Sequence, residues 1–320
     1  MADTSPSRPG QINLAGDPAA LWLKVFSGEV LSSFAKLIKI APKIRKRSIS
    51  RAKSAQFMAV GRALTSYHTI GDDILDPANA NLNLFAQNEQ VIVVDGELLA
   101  ATFVSDIEEL KSHWDVQSEY STELGRAMAV ELDSRLLRLL VLTGRNTTPN
   151  ITGQEAGETI LDVDFATNGA SAVATAFSIA QKFDEKHVPE EDRYLAMAPQ
   201  AYYAIVQDKS LINRDFGGGS NGVFHEGDVF RAAGLELVKT TLMPTTNFTA
   251  DAGEANSTTG DFTDTVAVAW HKSAIGSIQL RGLRMEQEYM IEYRGDLLVA
   301  SMAMGHGQLR PEAAIEVDVA

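Results

Sequence analysis

The stretch Ser105–Gly144, SDIEELKSHWDVQSEYSTELGRAMAVELDSRLLRLLVLTG, restricts what this chain can fold into more than any other. It contains no proline, and Leu124, Met128, Leu132, Leu136 and Leu140 recur every four residues, with Ala127 and Leu139 widening the stripe. Residues at that spacing share one face of a helix. Glu123, Arg126, Glu131, Asp133, Arg135 and Arg138 take the rest of the helix surface. Ser105 with Glu108 spells a capping box, and Asp106, Glu108 and Glu109 set negative charge at the positive end of the helix dipole. Gly144 stands where a left-handed C-cap is expected, ahead of the breakers Asn146 and Pro149. One rod of about 38 residues would span roughly 57 Å. Asp115 with Ser118 and Glu119 offers a second start, so a short helix 106–113 followed by a long one from about 116 fits equally well.

The 320 residues allow two or three compact units, and 45% hydrophobic residues are enough for a core. The absence of cysteine removes disulfides and cysteine-based zinc sites and fits an intracellular or assembly protein. No apolar run approaches the ~18 residues of a membrane span. Residues 1–20 lack a basic start and an apolar core, so no signal peptide is expected. The net charge of −14 is unevenly spread: residues 1–62 carry eleven Lys and Arg against three Asp and Glu, a balance of +8 that leaves −22 for the remainder. Between Val30 and Gly71 lie nine basic residues and no acidic one. Such a basic arm suits either nucleic acid or the acidic body of another copy of the chain, and the acidic whole favours the copy.

In chain order, residues 1–16 are polar, with two prolines and two glycines, and read as a mobile arm. Asp17-Pro18 then opens a helix over 18–35 whose apolar residues (Leu21, Trp22, Leu23, Val25, Phe26, Val30, Leu31, Phe34) run almost all round it. A helix so apolar at the end of an arm points to docking on another surface. Residues 36–70 alternate at Ile44, Ser48-Ile49-Ser50, Phe57-Met58 and Val60, an extended pattern, and the Asn-rich segment after Gly71 is loop. VIVVDGELLAATFV (91–104) predicts two strands joined by a tight turn at Asp95-Gly96. Together 44–104 reads as a long two-stranded excursion without a core of its own, which is marginal in water unless a neighbour covers it. After the long helix the pattern predicts a weak strand in 146–168, a helix 170–186, a buried strand 194–198 and a helix from Pro199 through Gln207. A glycine-rich loop 208–227 follows, then strands 235–241 and 265–270 on either side of a polar loop 245–264 with no apolar face. Strands alternating with helices make this an α+β unit with a central sheet. The alternating segments of 277–319 read as strands that return to pack on the long helix.

No motif singles out a reaction. His68, His113, His187, His225, His271 and His306 are scattered, with no HExxH and no i,i+4 pair, and read as surface or packing residues. Gly217, Gly219 and Gly222 match GxGxxG in form, but the expected strand and helix do not flank them. Gly305-His306-Gly307 reads as a turn between strands. No catalytic residue, metal ligand or cofactor site is expected, and no inter-subunit cross-link.

Five separated blocks resemble the major capsid proteins of short-tailed bacteriophages (podoviruses of the autographivirus type), which have the HK97-like fold. They are LKVFSGEVLSSFA (23–35), RSISRAKSAQF (47–57), VIVVDGELLAATFVSDIEEL (91–110), DVQSEYSTELG (115–125) and AMGHGQLRPEA (303–313). The resemblance implies an N-terminal arm, 1–45, and an extended β-ribbon or E-loop, 46–95. It implies a peripheral domain with the long spine helix, 96–145 and 266–320, and an axial domain with a central sheet, 146–265. It also implies a structural protein, not an enzyme, whose copies form the hexamers and pentamers of an icosahedral shell around double-stranded DNA. Such a shell is assembled in the host bacterial cytoplasm and located in the virion capsid. The implied partners are copies of the chain, a scaffolding protein, a portal protein and packaged DNA touched without sequence specificity on the inner face; no membrane is involved.

The charge pattern adds a contact expectation. Lys36, Lys43, Arg45, Arg47, Arg51, Lys53 and Arg62 would face Asp106, Glu108, Glu109, Glu119 and Glu123 of an adjacent copy. The competing reading is a nucleic-acid-binding protein working through 36–62. The basic arm has few aromatics among its charges (Phe34, Phe57 and Tyr67), which supplies little base stacking, and the acidic body repels phosphate. An α+β enzyme with a polar pocket in 146–265 is the third reading.

Overall fold

The computed structural model describes residues 34, 37–61, 65, 67–71, 73–75, 87–105, 116–150, 154–208, 222–223, 228–229, 231–249 and 255–319. A 3-10 turn at Ala41–Lys43 leads into β1 (Arg45–Ser48), β2 (Ser54–Val60), β3 (Gln87–Val93), β4 (Leu98–Ser105) and α1 (Val116–Arg145). Then follow β5 (Glu158–Leu161), α2 (Gly169–Glu185), β6 (Arg193–Met197), α3 (Pro199–Gln207), β7 (Gly222–Val223), β8 (Asp228–Val229), β9 (Arg231–Ala232) and β10 (Leu235–Lys239). The chain closes with β11 (Thr265–His271), β12 (Ile275–Met290), β13 (Gly295–Gln308), a second 3-10 turn at Pro311–Ala313 and β14 (Ala314–Asp318).

Two sheets enclose α1. The four-stranded sheet runs β1-β12-β13-β4 and the six-stranded sheet β5-β14-β11-β6-β10-β9, while β2 and β3 pair alone as a ribbon. The 30 residues of α1 span about 45 Å. It touches β13, β4 and β12 on one side and β14, β11 and β5 on the other. This explains its burial: Leu124, Met128, Leu132, Leu136, Leu139 and Leu140 are buried as the stripe predicts, but Leu137 and Val141 are buried as well, because the second half of the helix is covered by both sheets. Ala127 is exposed and Ala129 takes its place in the contact. Asp133 and Arg138, expected on the surface, are 2% and 8% exposed. The predicted first segment 106–113, its capping glutamate and the choice of a break at Asp115 lie outside the described residues, as does most of the predicted helix 18–35; Phe34 and Leu37 have helical backbone.

The strand β6 is buried along all five residues, since it lies inside the six-stranded sheet between β11 and β10; a strand covered on both faces has no polar alternation. The helix α2 starts where Asn168 accepts the Ala170 N–H, and α3 starts at Pro199 as the sequence predicts.

Five expectations need correction. The segment 91–104 is not a hairpin: β3 pairs with β2, and β4 pairs with β13. Neither Asp95 nor Gly96 has the positive φ that a type I′ turn requires, and the Asp95 carboxylate instead accepts the N–H groups of Ala255 and Asn256. Gly144 is not a left-handed cap but lies inside α1; a Cβ there would sit 3.0 Å from the Glu316 nitrogen, so the glycine lets β14 approach. Gly305–Gly307 is no turn but part of β13, paired with β12. The loop before β11 does have an apolar face, because Phe262 is fully buried and Phe248 packs on the core. Finally, the ribbon does possess a small core at its root: Ala55, Phe57 and Ile92 pack with Ile278 and Leu309.

Candidate functional site

The basic segment emerges beside the middle of α1. The Lys39, Ile40 and Ala41 N–H groups all point at the Asp133 carboxylate, at 2.7, 3.3 and 3.2 Å. The indole N–H of Trp270 donates to the Lys43 carbonyl at 3.1 Å. These bonds fix the chain where it enters β1, whose four side chains are all exposed. Burial pushes the Asp133 carboxyl pKa up, against the three N–H donors that pull it down.

The predicted contact residues stand in different surroundings. Lys43 is engaged within the chain, bonded to Glu236 and placed over the Tyr194 ring at 4.4 Å. Arg47 donates to the Gln56 carbonyl at 2.8 Å, and the guanidinium groups of Arg45 and Arg47 lie over Phe57 at 5.6 and 6.0 Å. Arg51 and Lys53 are exposed between β1 and β2. Lys36, Arg62, Asp106, Glu108 and Glu109 lie outside the described residues, as does the side chain of Glu119 in the helical backbone of α1. Glu123 is exposed and pairs with Arg126 at 3.4 Å. Among the described residues, no ion pair joins the basic set to the acidic set within one copy.

Sequence reasoning missed Glu236 and Asp133 as internal partners. Glu236 lies 193 residues from Lys43 and carries no local signal. Asp133 had one: it is four residues from both Ala129 and Leu137, so it falls on the buried side of the helix.

Two apolar surfaces are open. On the ribbon, Met58 is 74% exposed and Val60 and Val91 about half so. On the four-stranded sheet, Leu99 and Phe103 of β4 lie opposite Ser301 and Leu297 of β13. The end of the β12–β13 hairpin adds exposed Tyr289, Ile291 and Tyr293, and the Tyr293 ring meets Phe103 edge-on at 6.3 Å. Among the described residues no strand pairs with the outer edge of β4, and an unprotected apolar edge invites another chain.

Among the described residues, the geometry assembles no reaction centre. Among the described residues no cluster of His, Asp and Glu is placed to hold a metal, and no helix is long and apolar enough to cross a membrane. A cavity of about 10 Å³ lies among Gly96, Leu98, Leu132, Arg135, Met302, Met304 and His306, room for about one water and no substrate. His306 is buried there, with its Nδ1 unpaired, and burial, with Arg135 and Lys46 nearby, lowers its pKa to about 4.

Comparison with known proteins agrees with surfaces made for other chains. Residues 56–318 match the family model described as "Gp10A-like: Major capsid protein". The chain is 31% identical over 324 residues to the major capsid protein of Escherichia phage T7, covering 94% of this chain and 92% of that protein. Its structure is similar to the capsid structure of the cyanophage P-SCSP1u, with a TM-score of 0.77 and 35% identity over 87% of this chain and 86% of the other. The mature capsid of bacteriophage PhiM1 shares the fold at 18% identity, with a TM-score of 0.71 and 88% and 87% of the two chains covered.

Proposed function

The chain belongs to the Gp10A-like major capsid protein family, and on that premise we propose that its copies close into the icosahedral shell of a phage virion, through hexamers and pentamers. The fold is the α+β, HK97-like capsid fold with a long helix and mixed sheets, and the family is structural, not enzymatic. The observation that carries the assembly reading is the pair of open apolar surfaces at opposite kinds of element: a ribbon with Met58, Val60 and Val91 exposed, and a sheet edge and hairpin end with Leu99, Phe103, Ile291 and Tyr293 exposed. A surface repeated on each copy is the basis of a closed symmetric lattice, in which weak contacts add through multiplicity.

In this reading residues 1–45 are the arm, 46–95 the E-loop, 96–145 and 266–320 the peripheral domain and 146–265 the axial domain. The sheet order supports sharing across that division, since β11 and β14 hydrogen-bond with β5 and β6 in the six-stranded sheet. Lys36, Arg45, Arg47, Arg51, Lys53 and Arg62 face Asp106, Glu108, Glu109, Glu119 and Glu123 of an adjacent copy. Lys43, already paired with Glu236, contributes least. Exposed pairs of this kind give roughly 0.2–1 kcal/mol each, so they set register while apolar burial supplies cohesion. A scaffolding protein, a portal and packaged double-stranded DNA are the further partners of this reading. Negative-stain electron microscopy of the overexpressed protein, with and without a scaffold, tests it. Shells, tubes or free hexamers are the expected result; monodisperse monomers under every condition would overturn it.

A further inference from the structure

The ribbon leaves the body at a place where its own chain grips it from two sides. On one side stands Asn256, in the loop before β11: its Nδ2 donates to the Val93 carbonyl at 2.8 Å and to the Asp95 carboxylate at 3.1 Å. The Ala255 and Asn256 N–H groups reach the same carboxylate oxygen at 2.9 and 3.1 Å. On the other side stands Asn150, in the loop after α1: its Oδ1 accepts the Gln90 Nε2–H at 2.9 Å, its carbonyl accepts the Asn88 amide, and its own Nδ2 donates to the Leu309 carbonyl. Both loops are themselves tied down. Asn146 donates to Gln308 at 3.0 Å, Phe248 lies under the Arg138 guanidinium at 3.7 Å, and Arg145 donates to the Asp261 carbonyl.

Against these grips the described part of the ribbon has few apolar contacts. Its buried root is Ala55, Phe57 and Ile92 on Ile278 and Leu309, a cluster separate from the main core. Beyond that root Met58 and Val60 are exposed. A short apolar root tolerates a change of angle, whereas hydrogen bonds are directional and fix one angle. We propose that Asn150 and Asn256 act as a pair of clamps that set the angle at which the ribbon leaves the body, and that the ribbon swings as one piece when both let go. The two clamps sit in loops at opposite ends of the segment between α1 and β11, so a shift of that segment pulls on the ribbon from both sides at once.

The test uses the soluble full-length protein and the variants Asn150→Ala, Asn256→Ala and the double. Hydrogen exchange of the β2 and β3 amides is expected to quicken about threefold in each single variant and tenfold or more in the double, with β6 and the second half of α1 unchanged. Because the chain has no cysteine, Met58→Cys with Val130→Cys, both exposed positions, gives two unique spin-label sites. The distance distribution between them is expected to broaden in the double variant. The core variant Ile179→Val serves as the comparison: it lowers Tm but leaves both readouts at wild-type values. Ribbon exchange within twofold of wild type in the double variant overturns the proposal, and so does faster exchange spread equally over β6 and α1.

Discussion

The Asp133 carboxylate receives the Lys39 backbone N–H at 2.7 Å, across 94 residues of sequence. Ile40 and Ala41 donate to the same group, and Asp133 is 2% exposed. One buried side chain of α1 therefore fixes where the basic segment leaves the body. Asp133→Leu would leave three N–H groups without an acceptor at a buried site, at a cost of about 3 kcal/mol. Urea unfolding of the soluble subunit is expected to show that loss as a lower midpoint at unchanged m-value. A midpoint unchanged from wild type would show that the arm finds other acceptors.

A second pin joins the end of α1 to β14. The Arg145 Nε and NH2 groups bond to the two Glu316 carboxylate oxygens, each at 2.6 Å, and the Thr265 hydroxyl donates at 2.6 Å. Glu316 is 0% exposed, and its bonds to Arg145 raise the guanidinium pKa. Arg145→Ala strands a buried carboxylate, and stability should fall by about 3–5 kcal/mol. Removing both charges, with Arg145→Met and Glu316→Leu, should recover more than half of that loss. A double variant as unstable as the single one would mean that packing, not the stranded charge, sets the cost.

The buried His306 makes stability depend on pH in a defined window. Its folded pKa is about 4, below the ~6.5 of an unfolded histidine. The unfolded chain therefore takes up the proton first as pH falls. The contribution of the neutral ring is fully present above about pH 6.5 and is lost between about 6.5 and 4, on the order of 3 kcal/mol in all. His306→Gln should remove that slope: the gap in unfolding free energy between pH 7 and pH 4.5 narrows relative to wild type. Parallel curves for the two proteins would sink the assignment.

Charge reversal on the exposed basic face separates lattice from core. Arg47→Glu with Arg51→Glu is expected to stop assembly and leave a soluble subunit with Tm within a few degrees of wild type, because Arg51 is exposed and Arg47 makes one exposed bond. Leu132→Asp buries an unpaired charge at a site 3% exposed and should yield insoluble protein. Light scattering and solubility of the two variants side by side check this. If both aggregate, or both assemble, core and lattice faces are not distinct.

Periodicity made much of this legible. The stripe of α1, the start of α3 at Pro199 and the buried run of β6 depend on local spacing and capping, and all three appear where the sequence puts them. What failed depended on partners far away in sequence. Asp95-Gly96 has the composition of a hairpin turn, but Asp95 is occupied by Asn256, 161 residues on. Asp133 looked like a surface charge because the N–H groups that donate to it, those of Lys39, Ile40 and Ala41, lie in the arm. Phe262 sits in a polar stretch, yet it is fully buried in the main core, and the Arg145 guanidinium lies 5.5 Å from its ring. For the candidate surfaces, sequence revealed the sign of the charge on 36–62 but not that Lys43 is used internally by Glu236.

Glycines of the four-stranded sheet mark where the ribbon crosses it. A Cβ on Gly305 would meet the Val93 carbonyl oxygen at 2.1 Å, and one on Gly307 would meet Ile92 at 2.7 Å. The first obstacle is backbone, which cannot rotate away. Gly305→Ala must push β3 off β13, breaking the Asp95 N–H bond to the Met304 carbonyl at 2.9 Å, and should cost about 1–3 kcal/mol, the range for overpacking a filled site. Gly282 in β12 provides the contrast: its added Cβ would meet only the Gln279 side-chain amide, at 2.8 Å. That flexible end can swing aside, so Gly282→Ala should change stability by less than about 0.5 kcal/mol. Thermal unfolding of both variants, with protease sensitivity of the ribbon, checks the pair. Equal stability of the two would mean that β3 has room to rise from the sheet without loss.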